Sequence, residues 1–239
     1  MNVRHPGERF EWRGEDEWPL ARTVFTDYHL RRDLSLTTAD EDSPAALEYD
    51  ALGDGLLFRT PPFLEQTEFT GPLAARLWIS SETVDADLFL ILRLFDEDDT
   101  EVTFEGSTDP NTPIANGWLR ASHRALDQDR SKPWQPFHPH DRVEPLTPGE
   151  IYPLDIEFVP TCIVVPPGYR LGLWIRGKDY EYTGPLDDYG ENFVYATKGT
   201  GGMTHNDPDD RPPAIFGGKV TLYVGPDHPS RVLMPLIPD

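Results

Sequence analysis

The chain has 239 residues, with 42 acidic against 21 basic side chains, so 21 minus 42 leaves a formal charge of −21. A field of that sign repels phosphate backbones and anionic lipid headgroups, which argues against nucleic-acid and peripheral-membrane partners and itself accounts for solubility. The single cysteine, Cys162, excludes an intrachain disulfide, and 25 prolines with 19 glycines predict short strands joined by turns and long loops.

Residues 1–50 are polar and irregular, carrying Trp12, Trp18-Pro19, a short segment around Tyr28-His29-Leu30 and the acidic run Asp40-Glu41-Asp42. They predict an extended arm lying on a domain that spans 51–239, since their aromatics need something to pack on. The N-terminal stretch MNVRHPGERFEW is polar and no apolar run approaches a membrane span, so the chain reads as soluble and cytoplasmic.

Strand signals begin at Leu56-Leu57-Phe58. In LAARLWISS, Leu73, Ala75, Leu77 and Ile79 alternate with Arg76, Trp78 and Ser80, the pattern of a half-buried strand. In ADLFLILRLFDE, Leu88, Leu90, Leu92 and Leu94 share one face while Phe89, Ile91, Arg93 and Phe95 share the other. A strand apolar on both faces is a central one, covered on both sides. Asp96 to Thr100 form the turn out of it. GWLRASHRAL has no strongly apolar face and predicts an edge strand. Prolines 133, 136, 139 and 145 deny the next segment both helix and ladder, leaving an ordered excursion pinned by Trp134 and Phe137.

The best-patterned region is LTPGEIYPLDIEFVPTCIVVPPGYRLGLWIRG. Tyr152, Leu154, Ile156 and Phe158 share one face of a first strand, and Tyr169, Leu171, Leu173 and Ile175 one face of a second. Pro148-Gly149 and Pro166-Pro167-Gly168 supply the turns. Between the strands, Cys162 in the apolar run Cys162 to Val165 reads as a buried structural thiol. A long loop over 177–213 precedes the closing strands KVTLYV and RVLMPLIP. About eight strands stacked sheet on sheet predict an all-β chain, a jelly-roll β-sandwich with Greek-key connections.

Chemistry is sparse. No serine has glycine both two residues before and two after it, so the nucleophile elbow of an α/β-hydrolase is absent. Ser122-His123, read on a strand, would point to opposite faces and could not act as nucleophile and base. Asp85, Asp87 and the Asp96 to Asp99 run lack the spacing of a calcium loop and read as a solvated hairpin turn. His138-Pro139-His140-Asp141 could offer nitrogen ligands, but a third partner is not evident, and a loop whose histidines bond backbone is the simpler reading. No catalytic, cofactor-binding or metal residue is therefore assigned. In the 178–195 loop, Tyr180, Tyr182 and Tyr189 could line a cleft, hold a sugar ring, meet a partner domain, or fold back over the sandwich.

Five blocks in order, DGLLFRTPPF, LWISSETVDADLFLILRLFDED, GWLRASHRAL, PLTPGEIYPLDIEFVPTCIVVPPGYRLGLWI and HNDPDDRPPAIFGGKVTLYVGPDHPSRVLMPLIP, resemble one family. It is the C-terminal non-catalytic domain of the X-prolyl dipeptidyl-peptidase, cocaine-esterase and α-amino-acid ester hydrolase group (CocE/NonD), over roughly residues 18–238. Tyr169 departs from the histidine usual there. The resemblance implies a galactose-binding-domain-like jelly roll that packs, in cis or in trans, on an α/β-hydrolase domain holding the whole catalytic triad. It implies no cofactor and transfers no catalytic residue. A homo-oligomer is a further option for partners, and a stand-alone carbohydrate- or protein-binding module is the alternative function.

Overall fold

The computed structural model describes residues 1–106, 109–184 and 204–238. In chain order its strands are β1 (Asn2–His5), β2 (Arg9–Trp12), β3 (Val24–Leu30), β4 (Leu36–Thr37), β5 (Ala45–Asp50), β6 (Leu56–Arg59), β7 (Thr67–Gly71) and β8 (Ala74–Ser81). There follow β9 (Asp87–Phe95), β10 (Glu101–Val102), β11 (Ala115–Arg120), β12 (Tyr152–Glu157), β13 (Thr161–Val165), β14 (Arg170–Arg176), β15 (Lys219–Val224) and β16 (Arg231–Ile237). One turn of 3-10 helix at Ala121–His123 and one α-helical turn at Pro213–Phe216 are the helical elements among the described residues.

The strands form two sheets. The larger runs β2-β1-β13-β7-β16-β8-β15-β5, with β12 added on β8 and the β3–β4 pair on β16; the smaller runs β10-β9-β14-β6, with β11 on β9. Their inward faces share one core, to which the larger sheet sends Leu77, Ile79, Leu154, Ile156 and Leu222, and the smaller Leu88, Leu90, Leu92, Leu171 and Leu173. Each of these comes from the period-two alternation legible in the sequence, because only alternate residues of a pleat can face the opposite sheet. The two well-patterned strands, β12 and β14, are not partners. β12 pairs with β8 in the large sheet and β14 with β9 and β6 in the small one.

The Pro/Gly-rich connection between them carries a further strand, β13, antiparallel to β7. The turns are otherwise as expected from composition: Gly149 and Gly168 both hold φ near +80°, a conformation that costs a side-chain-bearing residue. Residues 1–50, expected to be irregular, supply five strands. β1 lies parallel to β13, β3 antiparallel to β16 and β5 antiparallel to β15. Their apolar alternation is weak because β2 is exposed throughout, β3 is mostly half-buried and β5 buries only Tyr49, so ladder hydrogen bonds rather than a buried face define them.

β9 is central, as its two apolar faces require. Leu88, Leu90, Leu92 and Leu94 enter the main core, while Phe89 and Ile91 form a second cluster with Tyr180 on the outer face. β11 is the edge strand expected, and β9 is its ladder partner. The excursion after it is pinned by Trp134, whose ring stacks on Phe25 of β3 at 4.5 Å, and by Phe137, over which Arg130 lies at 3.4 Å.

Candidate functional site

Tyr180 is buried against Phe89 and Ile91, its ring perpendicular to Trp174 at 6.4 Å. Its hydroxyl donates to Glu101 Oε1 at 2.9 Å, and Arg93 grips the same carboxylate through two bonds of 2.8 and 2.5 Å. Burial first, and then the neighbouring Glu101 carboxylate, raise the Tyr180 phenol, so it serves as a neutral donor. Tyr182 is half-buried against the same cluster, and Tyr189 lies outside the described residues.

Ser122 and His123 do not occupy a strand, as the sequence suggested, but a 3-10 turn at the end of β11. Ser122 is buried, and its hydroxyl donates to Asp85 Oδ2 at 2.6 Å while its N–H donates to Oδ1 at 2.9 Å. The serine thus anchors a turn. Asp96 likewise caps its hairpin, accepting the N–H groups of Asp98 and Thr100 at 3.0 and 2.8 Å.

What the fold builds instead is a cleft of about 650 Å³ between the start of β9, the edge strand β11, the end of β12, the Pro136 to His140 excursion and the 205–211 segment. Gly117 allows it. A Cβ at that position would stand 2.7 Å from the Glu157 carbonyl, so only glycine lets β11 approach the end of β12. Trp118, 46% exposed, stands beside the cleft, with the His205 ring 6.3 Å away.

The cleft floor is an ion network. Asp87 accepts from Arg120 at 2.9 and 3.1 Å and from Arg211 Nε at 2.7 Å, and Arg120 also reaches Asp210 at 3.1 and 2.9 Å. The Asp87 and Arg211 side chains are only 9% and 7% exposed, so the pair is desolvated and depends on mutual neutralisation. Arg211 further donates to the Gly177 and His205 carbonyls, and Arg120 lies over the Phe216 ring. The hydrogen bond from Arg120 holds the Asp210 carboxyl below its ordinary value, whereas burial raises that of Glu157 on the opposite wall. His138 has both ring nitrogens against backbone carbonyls, Ala125 at 3.2 Å and Asp155 at 2.8 Å, as the backbone-bonding reading of this loop expected. His140 instead faces His123, 3.2 Å between their Nδ1 atoms.

Among the described residues, then, the cleft can bind but presents no nucleophile paired with a base. The network was not legible in the sequence, because Asp87, Arg120 and Arg211 are far apart in the chain and each alone looks like a solvated surface charge. The available signal is Trp118, a large aromatic on the outward face of a strand whose sequence has no strongly apolar face.

A family model described as the X-Pro dipeptidyl-peptidase C-terminal non-catalytic domain matches residues 1–233. The cocaine esterase of Rhodococcus sp. (strain MB1 Bresler) is 24% identical over 268 residues, covering 95% of this chain and 40% of the esterase. A CocE/NonD family hydrolase from Staphylococcus aureus superposes with a TM-score of 0.82 at 26% identity, covering 99% of this chain and 41% of the hydrolase. An aminopeptidase from a marine sediment Thaumarchaeota archaeon, 15% identical, shares the fold with a TM-score of 0.61 over 97% of this chain and 39% of its own. The chain therefore spans about two fifths of the length of these relatives.

Proposed function

The chain belongs to the family of X-Pro dipeptidyl-peptidase C-terminal non-catalytic domains, and from that premise we propose that it works as the β domain of a CocE/NonD-type serine hydrolase. The observation that carries this reading is one of extent. Nearly the whole chain aligns with the staphylococcal hydrolase, while more than half of that hydrolase has no counterpart here. The nucleophile and base belong to that other part, an α/β-hydrolase domain acting in cis or in trans. This chain contributes packing surface and a wall of the substrate cleft, and the parent hydrolyses an ester or an X-Pro amide through an acyl-enzyme. The absent elbow and the commitment of Ser122 to Asp85 support this division of labour.

We read the two-sheet arrangement as a jelly roll of the galactose-binding type, a reading supported by the single core between the sheets and by the passage of the chain from β12 to β14 across it. No observation favours a stand-alone carbohydrate- or protein-binding module.

The test is to assay the purified chain on nitrophenyl esters and X-Pro nitroanilides, alone and mixed with the parent α/β-hydrolase domain. The chain alone is expected to be inactive and to co-elute with that domain. Turnover by the chain alone, abolished by a serine-directed phosphonate, would overturn the reading.

A further inference from the structure

We propose that His123 and His140 form the protein half of a seat for a late first-row divalent cation such as Zn²⁺ or Ni²⁺. This goes beyond the role as a hydrolase β domain and does not depend on it.

The two Nδ1 atoms stand 3.2 Å apart and the ring centroids 5.2 Å apart. With metal–nitrogen bonds of about 2.0–2.1 Å, a tetrahedral cation sets two imidazole nitrogens about 3.3–3.4 Å apart, close to the separation of these two. Neutral imidazole donors select zinc, nickel and copper over magnesium and calcium, which take oxygen.

Both residues sit on anchored backbone. His123 follows buried Ser122, which is fixed to Asp85, and the Ser122 carbonyl accepts the Glu144 N–H at 2.7 Å. His140 has φ +52°, in the left-handed region that few residues other than glycine occupy. Pro139 precedes it, and before that His138 is tied to two backbone carbonyls, so His138 anchors the loop and its nitrogens are already taken. Preorganisation of this kind is what a metal seat requires. Among the described residues no set of three histidine, cysteine or carboxylate side chains gathers around one point. The remaining coordination positions therefore belong to water or to a donor entering the adjoining cleft, which His140 lines. Such a cation would staple the excursion to the turn that ends β11.

Calorimetric titration of the untagged chain with zinc chloride and nickel chloride at neutral pH tests the seat, beside His123→Ala, His140→Ala and, as a control, His228→Ala, whose ring packs on Trp78 and Tyr223 rather than at the cleft. One cation per chain is expected. Either ligand variant should weaken binding by about tenfold or more, since loss of a mere supporting residue already costs that much, and His228→Ala should leave it unchanged. Zinc should raise the melting temperature of the wild type and the control but not of the two ligand variants. Circular dichroism of each variant separates a lost ligand from a lost fold. No saturable binding, or binding undiminished in both His123→Ala and His140→Ala, would overturn the proposal.

Discussion

Ser122 gives both its N–H and its hydroxyl, at 2.9 and 2.6 Å, to the single carboxylate of Asp85, closing the turn that follows the edge strand β11. The bond is charge-assisted and its donor is buried. Ser122→Ala should therefore cost about 1–3 kcal/mol of folding stability, read by urea unfolding with an unchanged m-value. A cost within error of zero would mean that the hydroxyl is dispensable to the turn.

Leu173 is fully buried, opposite Leu92 on one side and Phe58 on the other. It marks the middle of the smaller sheet's inward face. Truncation to alanine removes packed methyl groups from a site bounded by two neighbouring strands, so Leu173→Ala should destabilise by about 2–5 kcal/mol. Trp118→Ala, on the exposed side of β11, should cost far less in the same denaturant titration.

The Asp87 carboxylate neutralises two arginines, and the Arg211 side chain is as buried as its own. Asp87→Asn leaves the Arg211 charge desolvated and without that carboxylate, for a loss of about 3–5 kcal/mol. Adding Arg211→Met to that variant should recover part of the loss, because the uncompensated charge goes with it. Thermal unfolding of the single and double variants decides the point; equal losses would show that the penalty is not electrostatic.

Burial raises the Glu157 carboxyl, against the opposing pull of a Gln135 hydrogen bond. An acid raised in the fold binds more protons folded than unfolded. Its contribution is therefore complete below the ordinary glutamic-acid value and is lost as pH rises through the folded value. Glu157→Gln removes the charge that burial penalises. Its melting temperature should exceed the wild type's at about pH 7, and the difference should shrink toward about pH 4. A constant difference across that range would contradict the assignment.

How much could be read in advance follows from how local each signal is. Leu88, Leu90, Leu92 and Leu94 announce their strand and both its faces within nine residues, and the opposite face of the same strand is where Tyr180 packs. β3, β5 and β13 are not announced by the sequence, because a half-buried or short strand leaves little alternation to detect. The sequence pattern carries Ser122-His123 on the strand that in fact ends at Arg120, and boundaries of this kind depend on which carbonyl wins a hydrogen bond rather than on hydrophobicity.

The sequence by itself determined that the chain is β, that its core is built from alternating leucines and isoleucines, that it carries no nucleophile elbow, and which family it resembles. All of these are properties of neighbouring residues or of ordered blocks along the chain. Only the tertiary structure decided that β12 and β14 belong to different sheets, that Asp87, Arg120 and Arg211 meet on the floor of a cleft, and that His123 finds His140. Side-chain alternation fixes which face a residue shows, whereas strand pairing and loop closure fix what that face meets, and those depend on contacts between residues remote in the chain.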